Sequence, residues 1–346
     1  MIGLSSASEE PTVPSTATPM DGTQQTTGSS MASSSTGGVA VYFRCTVVVI
    51  TIVATAANTL VLYAMVASKQ HKKYVLLFNQ NLFDVVNSFF LAAKFIATLC
   101  NIDFNGMHGY WLCITILSDG ISWGPFMGSL INLEVITIER YLKIVHAIWS
   151  RKWLRKWMIY SAMGFAWISG ITIAAAMTLA NTKVVKGVCT SALFSKSQST
   201  RIAFGIWYFL SFYVIILFIF IFCYTRILIV VRRQAQVMAA HAAHGSNAAQ
   251  TGPNQIQYSV IKTMILVCVL FAITWTPAFI NYLIFHIDSK LSMIGNGYYA
   301  TLFVGYIYSC VNPFIYATKF DPVKRILKGL IPWIKTAQPI ESIGLT

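Results

Sequence analysis

The chain has 346 residues, of which 56% are hydrophobic and only 10% charged, with a mean hydropathy of +0.63. That composition excludes an ordinary soluble globular domain, because so much apolar surface has no stable place in water. The formal net charge of +14 belongs, in such a chain, to basic loops at one membrane face rather than to a nucleic-acid-binding surface.

Residues 1–40 are rich in Ser, Thr, Gly and Pro, carry Glu9, Glu10 and Asp21, and hold no Lys or Arg. They lack the apolar stretch of a cleaved signal peptide and bury too little to fold, so a disordered extracellular tail is expected. Stretches that meet the length of about 20 apolar residues needed to span a bilayer follow at 41–67, 76–100, 111–143, 157–180, 203–231, 260–286 and 293–317. The predicted fold is therefore all-α, a seven-transmembrane helix bundle over residues 41–318. Ala239–Asn254, between the fifth and sixth segments, reads as a short polar linker ending in Gly252-Pro253. In residues 319–346, Phe320, Val323, Ile326, Leu327, Leu330 and Ile331 recur at helical spacing opposite Lys324, Arg325 and Lys328. That pattern predicts a short amphipathic eighth helix on the inner leaflet, then a short cytoplasmic tail.

Basic residues set the orientation. Lys69, Lys72, Lys73, Lys143, Arg151, Lys152, Arg155, Lys156, Arg226, Arg232, Arg233, Lys262 and Lys319 all fall on one side if the N-terminus is outside. The positive-inside rule then puts the N-terminus outside and the C-terminus inside a multi-pass protein, expected in the plasma membrane.

Two features invite a functional reading. The third segment ends in the adjacent charges Glu139 and Arg140, costly at a membrane edge and retained there for function. Asp84 lies mid-segment, where a carboxylate needs polar partners, a proton or a cation; Asn58, Ser129, Ser309 and Asn312 are available on other segments. Pro277 and Pro313 each remove a backbone donor and kink their helices.

Taken in order, Asn58, Leu82-Phe83-Asp84, Glu139-Arg140-Tyr141, Trp167, Tyr224, Phe271-Ala-Ile-Thr-Trp275-Thr-Pro277 and Asn312-Pro313-Phe-Ile-Tyr316 resemble the motifs of the rhodopsin-like (class A) G-protein-coupled receptors. The resemblance spans roughly residues 41–331. It implies a non-enzyme that passes an extracellular signal to a heterotrimeric G protein, with Arg140 as the transducer contact. Trp275 and Phe271 would move as the sixth helix swings out, and Tyr224 and Tyr316 would move toward Arg140. The same resemblance implies a sodium pocket at Asp84, Ser129 and Asn312, no other cofactor, and a disulfide between Cys113 and Cys189. Cys45 and Cys100 are outer-surface competitors for that disulfide.

The departures from the family pattern are also informative. The fifth helix has Ile216 where the family carries a proline, so the bulge that proline creates is expected to be absent. Pro125 is predicted to kink the third helix, and Glu134 is expected as a buried acid, protonated or paired across helices. Gln257 replaces an acid that pairs with Arg140 in many relatives. Ser122 replaces the aspartate of amine receptors, against a monoamine ligand. Tyr306 replaces the retinal lysine, against an opsin-like photoreceptor; a transporter or channel would show charges or broken helices through the core. The ligand is expected to be a peptide or small molecule in an outer pocket bordered by Lys94, Asp119, Ser122, Tyr282, His286, Tyr298, Tyr299 and Tyr306. Lys94 lies ten residues beyond Asp84, about 15 Å outward at ~1.5 Å per residue. It either receives an anionic ligand group, or snorkels or pairs with Asp119.

Overall fold

A computed structural model describes residues 28–100, 106–185, 188–191, 197–242, 251–288, 296–319 and 321–330. Its helices are α1 (Gly28–Ala67), α2 (Val75–Leu99), α3 (Gly106–Leu112), α4 (Asp119–Val145), α5 (Ala147–Trp153), α6 (Lys156–Asn181), α7 (Gln198–Phe209), α8 (Ile215–Ala242), α9 (Thr251–Ile287), α10 (Asn296–Lys319) and α11 (Asp321–Leu330). Among the described residues seven spans are long and apolar enough to cross a membrane, as the sequence predicts. α3 and α4 together form the third span, and α7 and α8 the fifth.

Helix α1 starts thirteen residues ahead of the expected boundary at 41, at Gly28. No proline lies between Pro19 and this helix to stop it extending outward. Residues 1–27 of the expected tail, most of the linker after α8, and residues 331–346 lie outside the described residues. An antiparallel hairpin, β1 (Thr182–Val185) and β2 (Val188–Ser191), joins α6 toward α7.

The third span is the axis of the bundle: its apolar stretch is 61% buried, against 11% for the fourth span. α4 packs against α2, α6 and α8, α1 against α2 and α10, and α9 against α7 and α10. The approach of α4 to α6 is set by glycines. A Cβ on Gly120 would overlap Ala174 O, one on Gly124 would meet Ala174 Cβ at 2.5 Å, and one on Gly128 would meet Ala166 O at 3.1 Å. From the other side, a Cβ on Gly170 would meet Gly124 O at 2.7 Å. In lipid, where apolar side chains gain little by leaving the solvent, such small-residue ridges let backbones close to van der Waals contact.

The fifth span corrects an expectation. A π-helical turn at Leu210–Val214 separates α7 from α8, although no proline is present. A π turn brings residues five apart onto one face. Tyr208 and Tyr213, five apart, both stack on Phe279 of α9, at 5.9 and 5.0 Å. Side-chain packing thus holds a bulge that elsewhere follows from a missing N–H. A second π turn, Cys113–Leu117, lies between α3 and α4, ending at the extended Ser118. Pro125 lies inside α4, Pro277 inside α9 and Pro313 inside α10. The short α11 seats Val323 fully buried against the bundle.

The glycine ridge makes a paired prediction. A methyl group on Gly164 of α6 would meet nothing within 4 Å, so Gly164→Ala gains helix propensity, about 0.5–1 kcal/mol. Gly124→Ala has the same propensity gain but must push α6 away, so its detergent-solubilised Tm falls. Thermal unfolding of both variants checks this; a rise for Gly124→Ala would show that the ridge does not set the spacing.

Candidate functional site

The bundle is bound together by side-chain hydrogen bonds that begin at Asp84. Ser129 Oγ of α4 donates to Asp84 Oδ1 at 3.2 Å, and Asn312 Nδ2 of α10 donates to Asp84 Oδ2 at 3.2 Å. The three residues expected to form one pocket therefore do meet. Asn58 stays one step away: its Nδ2 donates to the carbonyls of Ala54 and Ser309, at 2.9 and 3.2 Å. The buried acceptors Asn58 Oδ1 and Asn312 Oδ1 have no hydrogen-bond partner. A carboxylate, a hydroxyl and a spare amide oxygen form a hard-oxygen donor set, which fits a small cation.

The network extends well beyond the residues singled out from sequence. Gln80 Nε2 donates to Ser129 Oγ at 2.5 Å, and Asn132 Nδ2 donates to Gln80 Oε1 at 2.8 Å. Asn79 Nδ2 donates to Asn132 Oδ1 at 2.8 Å, and Trp167 Nε1 of α6 donates to Asn79 Oδ1 at 2.9 Å. Trp167 also stacks on Phe83, with centroids 3.9 Å apart. The signal for this chain was present in the sequence as three successive amides, Asn79-Gln80-Asn81, inside an apolar span.

At the inner end Glu139 is buried and faces two cations. Arg140 Nε lies 3.2 Å from Glu139 Oε2 at ion-pair distance, though neither atom is aligned as a hydrogen bond. Lys143, one turn on, bonds the other oxygen, a partner the sequence reading missed. The Arg140 guanidinium also lies over the Tyr74 ring, 5.9 Å from its centroid. Tyr141 turns away: its hydroxyl is 3.2 Å from His146 Nε2. The Tyr224 hydroxyl meets Thr137 Oγ1 at 3.3 Å, and Tyr316 is fully buried with its hydroxyl unpartnered. The side chain of Gln257 lies outside the described residues. Glu134 is half-buried rather than buried, with no hydrogen bond or ion pair to another of the described residues.

Trp275 sits between this core and the outer half. Its ring lies 4.2 Å from Phe126, 6.0 Å from Trp123 and 6.3 Å from Tyr306. A Cβ on Gly305 would come within 3.1 Å of it, so α10 reaches the indole only because that residue is glycine. Inward, Phe271 meets Phe220 and Tyr308 at 6.1 and 5.9 Å.

The outer half gathers most of the expected ligand-facing residues. Tyr282 and His286 are 4.4 Å apart, with His286 Nδ1 2.9 Å from the Tyr282 carbonyl. Tyr208 lies 4.9 Å from Tyr282, and Tyr306 meets Phe95 at 6.4 Å. Ser122 Oγ is buried and unpartnered. Tyr299 stacks on Phe43 of α1 at 4.7 Å, which ties it to helix packing, and its ring lies 6.2 Å from that of Tyr298. Lys94 is half-buried and engaged within the bundle; the side chain of Asp119 lies outside the described residues. Cys113 and Cys189 form the expected disulfide, pinning the hairpin to the outer end of the third span, and Cys45 and Cys100 are free.

The family model described as 7 transmembrane receptor (rhodopsin family) matches residues 57–316. Somatostatin receptor type 5 of Rattus norvegicus is 24% identical over 291 residues, 80% of this chain and 74% of that receptor. Lysophosphatidic acid receptor 3 of Rattus norvegicus is 26% identical over 218 residues, 62% of this chain and 58% of that receptor. In fold, the chain superposes on squid rhodopsin with a TM-score of 0.68 and 18% identity, covering 88% of this chain and 89% of that one. The chain therefore belongs to the rhodopsin family of seven-transmembrane receptors and is a receptor rather than an enzyme.

Proposed function

We propose that this receptor, with its N-terminus outside the plasma membrane, converts binding of an extracellular ligand at the outer end of the bundle into activation of a heterotrimeric G protein at the inner end. The observation that carries the reading is the continuity of one buried column. Tyr306 packs on Trp275 in the outer half; Phe271 and Tyr308 meet next; Asp84 and Asn312 follow, then Tyr316 toward the inner end. A displacement of Trp275 has packed neighbours through which to move α9 against α10. Such coupling needs an element with two arrangements, and Pro277, two residues past Trp275, supplies the weakened backbone.

At the inner end Ile148 on α5 is 89% exposed. It lies beside the basic residues that the positive-inside rule assigns to the cytoplasm, as suits a docking face for a protein partner. Trp153 and Trp157, exposed among Arg151, Lys152, Arg155 and Lys156, suit the headgroup boundary. There α11 lies along the inner leaflet, with Lys324 and Arg325 toward the lipid headgroups. The ligand is a peptide or small molecule. The named relatives are receptors for somatostatin and for lysophosphatidic acid, and the aromatic side chains of the outer half suit an aromatic or acyl body.

Asp84, Ser129 and Asn312 would hold a sodium ion in the resting receptor, and the ion's charge would neutralise the buried carboxylate there. Because a ligand that binds one state stabilises that state, the ligand-free receptor should unfold at a higher temperature in sodium than in N-methylglucamine at fixed ionic strength. Asp84→Asn should abolish the difference; a sodium-insensitive wild type would leave Asp84 a packing group only.

The coupling reading is tested by Arg140→Ala. Once a library screen with a promiscuous G-protein readout has supplied an agonist, this variant should reach the surface and bind it but fail to signal. Lys143 still pairs with Glu139 when Arg140 is removed, so the variant leaves the buried carboxylate with a cation and the bundle intact. Undiminished signalling by Arg140→Ala would refute the transducer assignment.

A further inference from the structure

The outer end of α7 holds a charge that the bundle leaves unanswered. Arg201 lies in the first turn of α7, in line with Gly205, Tyr208 and Phe212 at spacings of four, three and four. That face turns inward. Tyr208 is 4% exposed, and a Cβ on Gly205 would come 2.5 Å from His286 Cβ. Arg201 is one turn farther out on the same line, between α7 and α9 and within electrostatic reach of the His286 ring.

Among the described residues, Arg201 Nε and Nη2 are shielded from solvent without a hydrogen-bond partner, and Arg201 makes no ion pair. A guanidinium is permanently charged and carries five donors in a fixed planar fork. Shielded donors with nothing to bond are unfavourable for the fold alone. Lys94, for which the sequence left an anion-binding role and a structural one both open, already has an interaction partner. The walls beneath Arg201 are apolar and aromatic: Phe204 lies 5.7 Å from His286, Tyr282 lies 4.9 Å from Tyr208, and Phe279 completes the stack.

We propose that Arg201 anchors a subsite for an anionic group, a carboxylate or a phosphate, on a ligand whose apolar body lies against Tyr208, Phe279 and Tyr282. Two oxygens of either group match the guanidinium fork in a bidentate, charge-assisted pair. The proposal deepens the receptor reading by naming the ligand chemistry, and rests on it for the location of the ligand.

The test uses binding rather than signalling. Full-length receptor purified in neutral detergent is titrated with 1-oleoylglycerol 3-phosphate, oleate, neutral 1-oleoylglycerol and inorganic phosphate, followed by thermal unfolding. At least one of the two anionic amphiphiles is expected to raise the Tm of the wild type well beyond the neutral alcohol, with inorganic phosphate inert, and the phosphate and carboxylate arms tell which headgroup fits. Arg201→Gln should weaken that amphiphile about tenfold or more, as expected for loss of one charge-assisted pair, without changing the response to the neutral alcohol. The ligand-free variant should unfold no lower than the wild type, since it loses no contact.

Three results would overturn the proposal. These are a wild type that does not distinguish the anionic amphiphiles from the neutral alcohol or from inorganic phosphate, an Arg201→Gln variant that binds them equally well, and a ligand-free variant that unfolds several degrees lower. A receptor that binds through Arg201 but activates no G protein would refute the coupling reading and leave the subsite standing.

Discussion

Hydrocarbon offers no hydrogen bonds, so a polar side chain inside this bundle can be satisfied only by another helix, its own backbone or a bound guest. One chain of contacts meets that demand across four helices. It runs from Trp167 through Asn79, Asn132, Gln80 and Ser129 to Asp84 and Asn312. α6, α2, α4 and α10 are thereby tied at one depth of the membrane. Each link satisfies a group that would otherwise be buried alone, and the cost of breaking one is the desolvation of what remains, about 1–3 kcal/mol. The links therefore restrict how the helices can shift more than they add to net stability.

The chain of contacts depends in turn on close backbone approach. Trp167 reaches Asn79 across the edge of α4, next to the place where Gly124 and Gly128 admit α6. Larger residues there would move the indole out of range. Gly305 has the same role for Trp275, letting α10 lie against the indole face. Small residues set the distances, and polar and aromatic residues then use them. This division of labour suits a medium in which apolar burial drives little helix association.

Much of the architecture was legible in the sequence because bilayer thickness imposes one length on every span, and basic residues mark one side. Asp84, Ser129 and Asn312 were legible for a related reason: isolated polar groups in apolar spans have few places to go. What the sequence did not disclose depends on packing between segments. The π turn in the fifth span is set by two tyrosines sharing Phe279, which no local pattern announces. Tyr299 and Tyr298 are adjacent in sequence, yet Tyr299 is committed to Phe43 on α1. Glu139 was paired by sequence with its neighbour Arg140, whereas the bundle also gives it Lys143 one turn later. Arg201 carries no signal in the sequence that sets it apart from other basic residues near span ends, and only the positions of Gly205 and His286 turn it inward.

The two ends of the molecule thus differ in how their charges are balanced. At the inner end one carboxylate, Glu139, has two cations, both supplied by its own helix. Releasing Arg140 leaves Glu139 still paired through Lys143, so the loss is a fraction of what an isolated buried carboxylate would suffer. At the outer end Arg201 has shielded donors and no counter-charge among the described residues, which is what a ligand anion would supply under the proposed subsite. A ligand that supplies that charge gains binding energy at a place already held against α9 through Gly205 and His286. It can shift the receptor only to the extent that it binds one arrangement of α7 and α9 more tightly than another. An unpaired cation at a helix contact provides such a difference, because the strength of a charge-assisted pair depends steeply on the distance that the contact controls.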